Sequence, residues 1–93
     1  MGMNEVEGKD KERITLYTLT TCVWCKKTKQ FFQDLGIGYR YTDVDLLEGE
    51  ERDAVMEEVK RWNPDCSFPS IVIDKSTCIV GFNEARIREA LGR

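Results

Sequence analysis

The sequence has no histidine, only two prolines and no long apolar run. Stretches such as Ile71–Ile73 are far shorter than the roughly 20 apolar residues that a membrane helix needs, so we expect no membrane span. The opening residues, MGMNEVEGKDKER, are charged and contain no apolar segment, which argues against a signal peptide. We therefore expect a cytoplasmic protein that does not act at a membrane.

A basic surface is absent as well. The net charge is −3, and the lysines and arginines are scattered among acidic residues, which argues against nucleic acid as a partner. With 93 residues, of which 41% are hydrophobic and 33% charged, the chain is predicted to form one globular domain. Residues 1–12 are polar and show no periodicity, which predicts a flexible tail before a domain at 13–93.

The hydrophobic pattern alternates between strand and helix. A largely apolar run ends just before the first cysteine and predicts a central strand, which a helical pattern follows. The predicted strands are Ile14–Leu19, Tyr39–Asp45, Phe68–Ile73 and Thr77–Val80, and the predicted helices are Val23–Leu35, Glu50–Trp62 and Ala85–Leu91. Because a β-α-β crossover is parallel and a hairpin is antiparallel, this β-α-β-α-β-β-α order predicts an α/β fold. We expect a four-stranded mixed sheet with helices on both faces.

The motif Cys22-Val23-Trp24-Cys25 lies where the first predicted strand gives way to a helix. A cysteine at a helix N-terminus meets unpaired backbone N–H groups and the positive end of the helix dipole, which favour its thiolate. Cys25 lies one turn further on, on the same side of the helix, and is expected to be less exposed. We therefore predict that Cys22 attacks a substrate disulfide and that Cys25 resolves the mixed disulfide.

Two other uses of the cysteines stay open at this point. A zinc site would need Cys66 and Cys78 as further ligands, and these two are too far apart in sequence to form a second CxxC pair. An iron–sulfur cluster bridged between two subunits would need only Cys22 and external thiols. We expect Cys66 and Cys78 to be small, mostly buried residues.

Three segments resemble the glutaredoxin family of the thioredoxin-like fold. They are ITLYTLTTCVWCKKTKQFFQDLGIGYRYTDVD, SFPSIVID and VGFNEARIREAL, in the family's order and at its separations. The resemblance implies that the peptide bond before Pro69 is cis and lies beside the cysteines, and that the backbone of Phe68 pairs with the substrate. It also places Gly81, Phe82, Asn83 and Glu84 around the carboxylate of a bound glutathione, at a helix N-terminus suited to anions.

The resemblance further implies a glutaredoxin-type thiol-disulfide oxidoreductase, which serves electron transport and cell redox homeostasis through a redox-active disulfide. We expect a monomer with no tightly bound cofactor or metal, disulfide-containing proteins as substrates, and Trp24 as an apolar platform for them. Leu19 stands where glutathione-using members carry lysine or arginine, and Val80-Gly81 stands where they have a glycine pair. The reductant therefore stays open among glutathione, another low-molecular-weight thiol and a thioredoxin-reductase-type enzyme. The alternative function is an iron–sulfur cluster carrier that uses Cys22.

Overall fold

A computed structural model describes residues 4–9, 11–65 and 67–92, with Glu12 described by its backbone only. In this part of the chain the elements are β1 (Asn4–Val6), β2 (Ile14–Thr18), α1 (Val23–Asp34), β3 (Tyr39–Asp43), α2 (Gly49–Trp62), β4 (Ser70–Ile73), β5 (Thr77–Val80) and α3 (Glu84–Leu91). From β2 onwards they confirm the predicted β-α-β-α-β-β-α order. Within the described ranges, no helix is both long and apolar enough to cross a membrane.

The strands form one mixed sheet in the order β1-β3-β2-β4-β5. The β2–β3 pair is parallel, as a β-α-β crossover requires, and the other pairs are antiparallel. The carboxyl ends of β2 and β3 therefore lie side by side. Because β4 runs antiparallel to β2, its beginning lies at the same end of the sheet.

Both faces of the sheet are covered by helices, as predicted. On one face Leu16 of β2 belongs to a core formed with Phe32 of α1 and Ile87 of α3. On the other face Tyr17 of β2 packs with Val59 of α2. β2, which lies between β3 and β4, is thus the central strand and is buried on both sides.

The predicted four-stranded sheet is wrong by one strand. Asn4–Val6, within the segment 1–12, pairs antiparallel with β3, and the backbone of Lys9 forms an isolated parallel β-bridge with that of Ile37. The sequence pattern did not show this strand because it is three residues long and largely exposed, so it has no apolar alternation. The flexibility of residues 1–12 stays a prediction, and residues 1–3 and Asp10 lie outside the described part of the chain.

At the end of the sheet that carries the cysteines, two strands are shorter than predicted by two residues each, and β2 ends one residue early, at Thr18. β3 stops at Asp43, because Val44 enters a short 3-10 turn, Val44–Leu46, and buries its side chain there. β4 starts at Ser70, since Pro69 has no N–H group to donate to the ladder. Both changes turn predicted strand residues into loops near the motif.

β1 is attached through a close backbone crossing of two glycines. A Cβ atom on Gly38 would lie 2.6 Å from the nitrogen of Gly8 and 2.7 Å from the carbonyl oxygen of Val6. Because these are backbone atoms, the clash can be relieved only by moving the strand. We expect Gly38→Ala to detach β1 and to lower the free energy of unfolding by about 1–3 kcal/mol, measured by urea unfolding.

A chain that begins at residue 11 is the matched control for this substitution, since it lacks β1. In that chain Gly38→Ala should change the free energy of unfolding very little. An equal loss in both chains would show that the cost does not arise from the contact with β1.

Candidate active site

The dithiol motif lies at the start of α1, where Cys22 is the N-cap residue. Its backbone is extended, and its Sγ atom accepts a hydrogen bond from the N–H of Cys25 at 3.1 Å. Its own N–H donates to the carbonyl oxygen of Leu19 at 3.2 Å, which closes the loop between β2 and α1. The Cys22 side chain is partly exposed, whereas Cys25 is only 1% exposed. These positions are the ones predicted from the sequence.

The burial of Cys25 weakens its thiol as an acid. Burial raises the pKa of its thiol to about 12, and a hydrogen bond with the Cys22 sulfur acts in the same direction. The backbone N–H of Leu19 and the charge of Lys29 oppose this rise in pKa. Because 12 is far above neutral pH, the Cys25 thiol stays protonated in the reduced protein.

The Phe68-Pro69 peptide bond is cis, which confirms the expectation drawn from the resemblance. Tyr17 pairs with Ser70, so Pro69 lies at the end of β2 from which the chain continues to the cysteines. The N–H of Gly81 donates to the carbonyl oxygen of Pro69 at 2.8 Å. The cis-proline, the turn after β5 and the start of α1 therefore share one end of the sheet.

An apolar rim lies beside the dithiol, formed by Val23, Trp24 and Phe82. The rings of Trp24 and Phe82 are stacked, with centroids 6.4 Å apart and an angle of 20° between their planes. Phe82 in turn contacts the buried ring of Phe31, edge to face, at 5.5 Å. Trp24 is 55% exposed and Val23 is 61% exposed. The rim thus has a fixed base and an exposed apolar surface.

The other predicted site residues lie in different surroundings, some at the start of α3 and one in the core under α2. Asn83 caps α3, its side-chain oxygen accepting from the N–H of Arg86 at 3.1 Å. Glu84 is the first residue of α3, and its carboxylate pairs with Arg88 at 3.7 Å. The side chain of Phe68 packs into the core under α2 and so does not join the rim. The binding of a small thiol by these residues stays a prediction.

Two acidic residues that the sequence analysis did not select lie close to the motif. The carboxylate of Asp45 accepts from the backbone N–H of Thr20 at 3.0 Å and also from its hydroxyl, and these bonds lower the pKa of Asp45. Asp43 accepts from the hydroxyl of Thr18 at 2.5 Å. The alternation in Thr42-Asp43-Val44-Asp45, at the end of a strand parallel to β2, was the signal that could have revealed them.

Of the two remaining cysteines, the structure describes Cys78. Cys78 is a partly buried free thiol of β5 that pairs with Val72 on the α2 side of the sheet, and burial raises its pKa. The expectation for Cys66 lies outside the described residues. Among the residues that the structure describes, no three Cys, Asp or Glu side chains are grouped so that they could hold a metal ion.

A dithiol at the start of the first long helix and a cis-proline at the same end of a mixed, helix-covered sheet define a thioredoxin-like α/β protein. The model of the glutaredoxin family matches residues 14–78. The chain belongs to the glutaredoxin family.

Solved structures and a curated relative agree with this assignment. The chain is similar to the glutaredoxin from Methanosarcina mazei Go1, with 48% identity and a TM-score of 0.89 over 100% of this chain and 90% of that one. It is similar to the methanoredoxin of Methanosarcina acetivorans, with 50% identity and a TM-score of 0.85 over 92% of this chain and 90% of that one. An uncharacterized glutaredoxin-like 8.6 kDa protein in the rubredoxin operon of Clostridium pasteurianum is 37% identical over 75 residues, 80% of this chain and 91% of the relative.

Proposed function

We propose that the protein is a dithiol oxidoreductase that reduces disulfides of other proteins. Cys22 attacks one sulfur of the substrate disulfide and forms a mixed disulfide, and Cys25 then displaces the substrate thiol. The observation that carries this proposal is the asymmetry of the pair. One sulfur is partly exposed and accepts a backbone N–H at the helix start, while the other is buried and held one turn below it.

The apolar rim supports a protein as the substrate. Exposed apolar side chains next to a reactive sulfur favour a partner that brings its own apolar surface, and aromatic residues contribute most to such contacts. Trp24 and Phe82 form a stacked pair at this place. A small, strongly charged disulfide gains little from such a surface.

The reductant is proposed to be a low-molecular-weight thiol that does not depend on a cation at position 19. Leu19 is partly buried and packs into the core under α2, so this position offers no charge to the carboxylate of glutathione. The exposed cations near the motif are Lys26 and Lys27 instead, and Lys27 lies 4.6 Å above the Trp24 ring. We therefore expect thiols such as coenzyme M or bacillithiol to restore turnover at least as well as glutathione.

A disulfide-reductase assay tests the proposal, with insulin disulfides as the substrate. Reduced protein is expected to cleave them stoichiometrically, and a panel of glutathione, coenzyme M, bacillithiol and a thioredoxin reductase identifies the reductant that sustains turnover. Failure of the reduced protein to cleave any disulfide would reject the proposal. A visible absorption band together with dimerisation after anaerobic reconstitution would support the cluster-carrier alternative.

Removal of Trp24 tests the role of the apolar rim. We expect Trp24→Ala to lower kcat/KM for insulin about 5- to 30-fold, since losing an aromatic contact costs about 1–2 kcal/mol, while Trp24→Phe keeps most of the activity. The rate with 2-hydroxyethyl disulfide, which is too small to cover the rim, should change little. An equal loss with both substrates would mean that Trp24 supports the geometry of the cysteines and not substrate binding.

A further inference from the structure

Lys29 forms a largely shielded ion pair one turn beyond Cys25. Its Nζ atom lies 3.2 Å from the carboxylate of Asp43, and the two side chains are only 21% and 13% exposed. Asp43 is fixed in turn by the hydroxyl of the fully buried Thr18. The same Nζ atom lies 4.0 Å from the centre of the Tyr41 ring. The ammonium group is therefore held from two sides, unlike the mobile lysines of an exposed helix face.

The resolving step poses a chemical difficulty that this cation addresses. The attacking species in thiol–disulfide exchange is the thiolate, and burial, the largest cause of the raised pKa of the Cys25 thiol, does not depend on whether Cys22 is free or in the mixed disulfide. Only a small fraction of Cys25 is therefore ionised at neutral pH. Lys29 lies four residues after Cys25 on α1, so the two side chains are on the same face of the helix, and the charge of Lys29 favours the ionised form of Cys25.

In the described part of the chain, other titratable and polar groups also lie near Cys25. Cys22 lies at the start of the same helix, the loop after β2 contributes the backbone N–H of Leu19, and β3 contributes Asp43 through its pairing with Lys29. From α3, Arg88 lies over the ring of Phe31, further along α1. β4 contributes no charged side chain, because it consists of Ser70–Ile73.

Resting on the proposed function, we propose that Lys29 is a positioning residue of the resolving step. Asp43 and Tyr41 hold its ammonium group where its charge stabilises the thiolate that forms on Cys25. The Lys29–Asp43 ion pair would then act in the second half of the reaction, the resolution of the mixed disulfide by Cys25. A pair that only ties α1 to β3 would affect stability and leave the chemistry unchanged.

The step balances without a further reactant. Cys25 releases its proton to water, and its sulfur attacks the Sγ atom of Cys22 in the mixed disulfide. The Cys22–Cys25 bond forms and the bond from Cys22 to the substrate sulfur breaks, so the electron pair leaves on the substrate thiolate, which takes a proton from water. The protein is thereby oxidised to its disulfide and the substrate is fully reduced, and Lys29 stays protonated throughout.

Single-turnover reaction with dithiobis(nitrobenzoate) separates the two halves of the reaction, in a chain where Cys66 and Cys78 are replaced by serine. Attack by Cys22 releases one coloured thionitrobenzoate, and resolution by Cys25 releases the second. We expect Lys29→Gln to leave the first phase unchanged and to slow the second about threefold to tenfold. Without the charge of Lys29 the Cys25 thiol is less acidic, so a smaller fraction of it is thiolate. The higher nucleophilicity of that thiolate offsets this loss only in part. The pH profile of the second phase should move to higher pH.

Three further variants serve as controls. Lys29→Arg keeps the charge and should retain a fast second phase. Lys60→Gln removes the same charge from α2, on the face of the sheet opposite to α1, and should change neither phase. If Lys29→Gln does not fold because Asp43 is left without its partner, the double variant Lys29→Gln/Asp43→Asn removes both charges. Its second phase should also be slow.

The inference is overturned if the second phase of the folded variant keeps its rate and pH profile, or if both phases slow equally. Either result would leave the proposed function intact. If the first phase is missing in the unsubstituted chain, the proposed function itself fails.

Discussion

Cys22→Ser is expected to abolish disulfide reduction, lowering turnover by at least about three orders of magnitude. The Cys22 sulfur is the one that is partly exposed at the helix start and accepts the N–H of Cys25. A serine hydroxyl keeps the cap hydrogen bond but forms no thiolate at neutral pH and no disulfide with a substrate. The measurement is insulin reduction under each thiol that sustains the unsubstituted protein.

Cys78→Ser is the matched control for this experiment. Cys78 is also a free thiol, yet it lies in β5 on the α2 side of the sheet, so its replacement should leave turnover unchanged. The thermal unfolding midpoint of Cys22→Ser should stay close to that of the unsubstituted protein, because the substitution is at a partly exposed cap. Substantial activity in Cys22→Ser would show that another group is the nucleophile.

The residues that the sequence analysis placed correctly are those whose environment is set by neighbours along the chain. Cys22 was predicted to lie at the start of α1, because a helix cap depends on the few residues that follow it. The sheet-buried character of β2 followed from its continuous apolar run. The cis bond at Pro69 followed from the resemblance, since no local pattern specifies it.

The features that were missed depend on contacts between distant parts of the chain. Lys29 was not among the residues selected from the sequence, because a lysine in a helix is normally solvated. The structure shields it because Asp43, 14 residues away, and the Tyr41 ring lie beside it. β1 was not predicted for the same reason, since its three residues form a strand only because the edge of β3 is free to pair with them.

Leu19, which stands where glutathione-using members carry a cation, also depends on contacts between distant parts of the chain. A sequence comparison shows only that a cation is missing there, whereas the structure shows what the residue does instead, which is to pack under α2. The loop before Cys22 is therefore fixed by the Thr20–Asp45 hydrogen bonds and by the burial of Leu19. A charged side chain at position 19 would have to leave this core, so Leu19→Lys would weaken the loop as well as add a charge.

Cys25→Ser is expected to stop the reaction at the mixed disulfide. Attack by Cys22 needs only the exposed sulfur, so the variant should form a covalent adduct with one substrate thiol, visible as a mass increase of that thiol and reversed by an external reductant. The serine hydroxyl cannot displace the substrate thiol as the buried Cys25 thiol does after ionisation. An intramolecular attack with correctly placed sulfurs is also favoured over attack by a free thiol, by factors that correspond to effective concentrations far above the millimolar range.

Turnover with millimolar thiol should therefore fall at least about tenfold in Cys25→Ser. The remaining activity should rise in proportion to the thiol concentration, because an external thiol now performs the resolving step. In the unsubstituted protein Cys25 releases the substrate thiol at a rate independent of the thiol concentration, and the external thiol is needed only to reduce the Cys22–Cys25 disulfide afterwards. If Cys25→Ser forms no adduct, Cys25 is needed for the first attack and the division of roles drawn from burial is wrong. If it forms the adduct and still turns over at the full rate, the second thiol is dispensable, and the protein works through Cys22 alone.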